Sequence, residues 1–248
     1  MYYFSVCLGI QAHRSTHPCF ACTANGRLDF ADGFSANFRT IEHLKENAQK
    51  FMAQTPKIKS KECFNVVNPP LFYAQDDEYV LDLIFIPSLH VLLGVCFKIM
   101  SGIGDELGQG LIGQNKIVAL LIKIKVLQDG DQLSDMNGPA CNKLLDRLDL
   151  LRENLPTDLH KYVDLAECFG EVKKACFSSD LLPGWDEKID EFEQLYDEVG
   201  MTVTTKVHAL VRHVREQCYK YDQGLGAFSE QAVESSHFEF KEIWKRYE

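Results

Sequence analysis

Two short pairs of metal-binding side chains, 186 residues apart, constrain this chain more than any other feature in it. The first is the Cys-x2-Cys of His17-Pro18-Cys19-Phe20-Ala21-Cys22. The second lies in residues 205–234, TKVHALVRHVREQCYKYDQGLGAFSEQAVE, where His208 and His213 stand five apart, ahead of a glycine turn at Gly224 and Gly226 and a helix-forming run with Glu230 and Glu234. Both spacings fall in the range that tetrahedral zinc accepts, and thiolates with neutral imidazoles suit a borderline-soft d10 ion. One ion held by Cys19, Cys22, His208 and His213 would force the two stretches together in the fold. His17 is an alternate ligand, and His13 and His237 are weaker ones. Pro18 fixes the backbone before the first thiol, as a metal knuckle favours. On an ideal helix, residues five apart are separated by roughly 140°, so the two histidines are expected to flank a metal rather than share a face. Two other readings stay open. The four residues can be buried thiols and ordinary helix histidines, or the Cys-x2-Cys can be a redox pair, although that pair calls for a βαβ context not evident around it.

Composition sets the limits. A chain of 248 residues with 46% apolar content can bury a sizeable core. With 26 basic against 36 acidic residues the net charge is −10, so most of the surface is expected to repel a phosphate backbone and to bind DNA only weakly. Nine scattered cysteines, and no positive run behind Met1-Tyr2-Tyr3-Phe4, fit a reducing intracellular setting. The apolar run 117–127 is broken by Lys123 and Lys125 and is too short to span a bilayer, so a soluble protein without membrane contact is expected.

Helical periodicity dominates the rest. Residues 2–10 read as a buried helix or strand, and residues 37–53 as an amphipathic helix with Phe38, Ile41, Leu44, Ala48, Phe51 and Met52 inward. Residues 79–86 read as a short strand, followed by a buried helix over 89–100 that carries His90. Five glycines between Gly102 and Gly113 argue against helix there, at about 1 kcal/mol each. Asn137 caps a helix running toward Pro156, and further helices are expected over 161–177, 185–199, 206–219 and 229–247. The third of these five presents an acidic, solvated face from Asp186 to Glu193. In the last, Val233, His237, Phe240, Trp244 and Tyr247 form one stripe with Ile243 beside it, expected to be covered by self-association or by another chain.

Cys-x2-Cys, a long helical stretch, His-x4-His and then a serine-glutamate helix form a layout that resembles DDE transposases of the Transib and V(D)J recombinase kind. The strings HVREQC, GLGAFSEQAVES and IPSLHVLLG are similar to proteins encoded by invertebrate mobile elements. The resemblance covers residues 9–247 and is poorest over 102–135. It implies a ribonuclease-H-like core holding two aspartates and one glutamate, with a zinc-clasped helical insert between the second aspartate and the glutamate. On that reading Cys19, Cys22, His208 and His213 are the zinc ligands, and Glu234 (alternate Glu230) is the last catalytic carboxylate. The expected fold is mostly α, a single helical domain over 1–248. Within it, 1–12 and 227–248 are remnants of the truncated core and 13–226 is the insert. The family's two aspartates are expected upstream of this chain, which implies inactivity alone. Magnesium would enter only if the site is completed elsewhere, because a two-metal site needs more than one carboxylate. The implied partners are a second copy or an aspartate-bearing transposase chain, and the implied location is nuclear. The rival readings are a domesticated, noncatalytic zinc-containing interaction module and an enzyme half completed in trans.

Overall fold

The computed structural model describes residues 2–11, 15–26, 36–53, 58–71 and 74–228. They are mostly helical, and among them no β-strand forms, only isolated bridges. In chain order the helices are α1 (Tyr2–Cys7), α2 (Ile41–Ala53), the single turn α3 (Val80–Leu83), α4 (Ser88–Leu107), α5 (Leu111–Lys123), α6 (Gly138–Leu145) and α7 (Leu148–Glu153). After these come α8 (His160–Cys176), α9 (Trp185–Val199), α10 (Thr205–His208), a π turn (Ala209–Val214) and α11 (Arg215–Tyr221). The chain divides into two compact units: a first comprising Met1–Ile86 and Thr202–Lys220, and a second comprising Pro87–Met201 and Tyr221–Glu248. The expected last helix and its stripe, with Glu230, Glu234 and His237, lie outside the described residues, as does His13.

In the first unit, short extended segments cross between helices. Ile10 bridges Val66, Cys22 bridges Phe38 and Thr40 bridges Tyr79, all antiparallel. Helix α2 begins at Ile41, four residues later than periodicity suggests, because residues 37–40 are spent on these bridges. The Thr40 hydroxyl accepts from the His43 amide at 3.1 Å and so supplies the N-terminal cap. The inner face of α2 buries Ile41, Leu44 and Ala48, whereas Met52, expected inward, stands exposed at the helix end. The strand expected over residues 79–86 is instead the turn α3 followed by extended backbone. Extended backbone at depth needs hydrogen-bond partners, and here a side chain replaces a neighbouring strand. The buried Gln217 carboxamide donates to the Ile84 carbonyl at 3.1 Å and accepts from the Ile86 amide at 3.0 Å.

The second unit packs α4 against α5, α6 and α8, and α8 against α7 and α9. By length and composition α4 is long and apolar enough to cross a membrane (20 residues, with an 18-residue window of mean hydropathy 1.3); 56% of that window is buried within the structure. Against expectation, helix continues through Gly102 and Gly104 and resumes across Gly113. The helical cost of those glycines is offset by close approach. A Cβ on Gly113 would stand 1.9 Å from the Gly104 carbonyl oxygen and 2.2 Å from that of Gly108. A Cβ on Gly102 would press on the Tyr162 ring and the Met201 sulfur. Asn137 caps α6, its side chain accepting from the Ala140 amide at 2.9 Å. Helix α9 follows its sequence pattern, with Trp185, Ile189, Phe192 and Tyr196 inward and acidic residues outward. The glycine turn near the end lies against the chain after α8, where the Gly224 and Gly226 amides donate to the Ser179 and Ser178 carbonyls.

Candidate metal centre

The four residues singled out by spacing meet in the first unit. Cys19 Sγ lies 3.2 Å from His213 Nε2, Cys22 Sγ lies 3.3 Å from His208 Nε2, and the two Nε2 atoms are 3.0 Å apart. All four donor atoms fall within 4.8 Å of one another. With the usual zinc–sulfur and zinc–nitrogen bond lengths, a tetrahedral site has donor–donor edges of about 3.3–3.8 Å, so the cluster, spanning 3.0 Å to at most 4.8 Å, is near the size of one zinc coordination sphere. Each of the four side chains is at most 1% exposed. A closed set of four donors, with no position open to solvent, has the form of a structural rather than a catalytic site.

The helix that carries the histidines departs from α geometry at the place where a shared metal would require it. Thr204 caps its start by accepting from the Val207 amide, and residues 209–214 then adopt the wider π turn. Hydrogen bonds from i to i+5 bring residues five apart onto one face. His208 and His213 therefore meet edge to face, with ring centroids 4.8 Å apart and planes at 80°, instead of flanking the centre roughly 140° apart as ideal helix geometry suggests. Single π turns recur at functional sites, and this one aims two imidazoles at a single point.

On the opposite side, residues 17–24 form a knuckle. The Ala21 amide donates to Cys19 Sγ at 3.4 Å, and the Cys22–Phe38 bridge holds the loop's exit through the Thr23 amide to the Asn37 carbonyl and the Arg39 amide to the Ala21 carbonyl. The Phe38 ring packs 5.7 Å from that of His213, and the Arg212 guanidinium lies over the Phe38 ring, 5.5 Å from its centroid. Burial pushes the His213 imidazole below its ordinary pKa, which keeps it neutral, the form that binds metal. Of the two thiols, Cys22 is held far below the usual range by its hydrogen bond with Cys19 and then by the two imidazoles, whereas burial and the neighbouring Cys22 push Cys19 up. A buried thiolate beside a neutral imidazole is a donor set ready for a cation.

The remaining sequence candidates take other places. His17, the alternate ligand, turns its Nδ1 to the Thr23 carbonyl at 2.8 Å and sets its ring edge-on to Phe64. His90 lies in the first turn of α4 in the second unit. Glu234 and Glu230 fall outside the described residues. All nine cysteines are unbridged.

Sequence reasoning missed Arg39. It is 0% exposed, and no carboxylate pairs with it among the described residues. Its Nε donates to the carbonyls of Cys19 at 3.1 Å and Cys22 at 2.9 Å, while one terminal nitrogen donates to the carbonyls of Phe64 at 3.0 Å and His17 at 3.5 Å. Burial lowers its pKa to about 10 and the two cysteines pull it back up, so the guanidinium stays charged at neutral pH. No local pattern marks such a residue, because its acceptors are carbonyls that converge only in the fold. His43 is a second unforeseen feature. Burial and the Arg39 charge lower its pKa to about 4.

No protein-family model matches the chain, and no curated protein matches it.

Proposed function

We propose that this chain is a zinc-clasped helical part of a DDE-transposase-type protein, in which the metal is structural, and that the chain does not cut or join DNA by itself. One observation supports the reading above all: the four donors that the transposase layout would use for zinc, Cys19, Cys22, His208 and His213, converge within 4.8 Å although the chain between them is 186 residues long. Zinc held there would supply only cohesion, because the four protein donors fill a tetrahedral sphere and leave no place for substrate or water. The knuckle around Cys19 and Cys22 and the π turn around His208 and His213 do the positioning. In this reading Glu234 is a carboxylate that acts only within a fuller site, with magnesium, in a larger assembly. The net charge of −10 argues against the chain gripping a phosphate backbone unaided.

The rival, a noncatalytic zinc-containing module that binds a protein partner, has one feature in its favour. A groove of about 450 Å³ in the first unit is lined by Phe38, Tyr79 and Leu81 beside the Asp82–Lys220 ion pair, and Tyr79 is half-exposed there. The deciding experiment incubates the zinc-loaded chain with magnesium or manganese and supercoiled or end-labelled DNA. Neither nicking nor joining is expected, and binding at physiological salt should be weak. Metal-dependent cleavage that disappears in Glu234→Gln would overturn the inactivity and place a complete catalytic set in this chain.

A further inference from the structure

Two things about Arg39 call for an explanation beyond packing. A guanidinium without a carboxylate is costly to bury, and desolvation of one charge amounts to several kcal/mol unless the surroundings replace the lost water. Here the replacement is backbone. Four carbonyls accept from Arg39, and two of them belong to Cys19 and Cys22, the first and last residues of the Cys-x2-Cys loop. The same Nε atom reaches both, which fixes the separation of the loop's two ends from behind. The other donor ties the loop to Phe64, in a turn where Phe64 and Asn65 both take left-handed backbone at φ 50° and 60°. The main chain of Arg39 adds two more ties, its amide donating to the Ala21 carbonyl and its carbonyl accepting from the Val80 amide. The residue therefore threads the knuckle by side chain and backbone together. Among the described residues its remaining terminal nitrogen, Nη1, is buried with no hydrogen-bond partner, so the guanidinium's hydrogen bonds there all go to backbone carbonyls around the knuckle.

We propose that Arg39 is a positioning residue of the metal centre: by clamping the carbonyls of Cys19 and Cys22 it presets the spacing and direction of the two sulfur donors before metal arrives. The proposal rests on the metal-centre reading and concerns the affinity and geometry of that centre. Groups behind the ligands typically set 10–100-fold in metal affinity. Lysine cannot substitute, because a single ammonium presents three donors from one point, whereas the planar fork of arginine spans separated acceptors. Charge alone is then insufficient, and Arg39→Lys should behave much like Arg39→Met.

The test measures zinc affinity by competition with a chromophoric chelator in wild type, Arg39→Lys, Arg39→Met and Leu44→Ala. It also records the visible spectrum of each cobalt-substituted protein. Leu44 is fully buried on α2, and the side-chain donors to the knuckle carbonyls come from Arg39 and not from it, so Leu44→Ala destabilises the same unit without removing the clamp. Wild type should bind zinc tightly and show the intense visible bands of tetrahedral cobalt with two thiolates. In Arg39→Lys, zinc affinity should fall roughly 10–100-fold, with shifted or weakened cobalt bands, while Leu44→Ala keeps the wild-type spectrum. Arg39→Lys with wild-type affinity and spectrum would overturn the proposal. So would an equal loss and an equal spectral change in Leu44→Ala, which would reduce Arg39 to a general stabiliser. Failure of the wild type itself to bind zinc or cobalt is a different result and would remove the metal-centre reading.

Discussion

Removing the metal should destabilise the first unit and spare the second. The first unit is assembled from two pieces of chain, Met1–Ile86 and Thr202–Lys220, and the direct link between Cys22 and His208 closes a loop of 186 residues. Closing a loop that long costs about 5 kcal/mol of chain entropy by the logarithmic rule. Zinc binding to Cys and His donors in small peptides is worth roughly 10–16 kcal/mol at neutral pH, enough to exceed that cost. With free zinc at about 100 times its dissociation constant, the ion contributes about 2.7 kcal/mol of linked stability, and its loss should lower the melting point of a unit this size by roughly 10–20 °C. Calorimetry with and without a strong chelator reads the shift, and hydrogen exchange locates it. Protection should fall over residues 19–24, 37–41 and 205–220 and be unchanged over 88–107 and 160–199. An unchanged melting point after complete chelation, with residues 205–220 still protected, would show that packing closes this loop without a metal and would refute the reasoning.

Acid should loosen the first unit through His43. Its folded pKa, about 4, lies below the unfolded value near 6.5, so the unfolded chain takes up the proton first. The stabilisation from keeping it neutral is complete above pH 6.5 and is lost as pH falls toward 4. Its partial exposure reduces the size of the effect, and His43→Leu should flatten the stability–pH slope in that window by less than one proton per molecule in urea titrations. A slope unchanged by the substitution would count against the assignment. In the second unit, Gly113→Ala drives a methyl into the Gly104 and Gly108 carbonyls and should cost at least 1–3 kcal/mol, roughly. Its melting transition should fall while zinc content stays at the wild-type level, and a neutral effect would mean that α4 and α5 do not cross this closely.

Much of the candidate site was legible because ligand chemistry is local: Cys-x2-Cys and His-x4-His carry their own spacing, and those four residues meet. The way the histidines meet was not legible, since arithmetic on an ideal helix puts residues five apart on different faces, and the π turn over residues 209–214 changes that arithmetic. Arg39 stayed hidden because it stands among residues that read as the start of an amphipathic helix, although residues 37–40 pair with Cys22 and Tyr79 instead. Helix propensity misjudged Gly102, Gly104 and Gly113, whose lack of a Cβ allows a close crossing that no single-helix scale contains. The strand pattern over residues 79–86 misled because Ile84 is extended, yet the backbone of Ile84 and Ile86 is met by the Gln217 side chain, 131 residues from Ile86, and not by a neighbouring strand. The break between the two units at Ile86 carries no linker composition, because the first unit recruits its second piece from beyond Met201.

The most direct test of the account is the metal content of the purified chain. Elemental analysis of freshly prepared protein, never exposed to chelator, should find one zinc per chain, and Cys19→Ala or His213→Ala should bring that value close to zero. Zinc near zero in the wild-type protein, with none taken up when the ion is added back, would contradict the account at its centre.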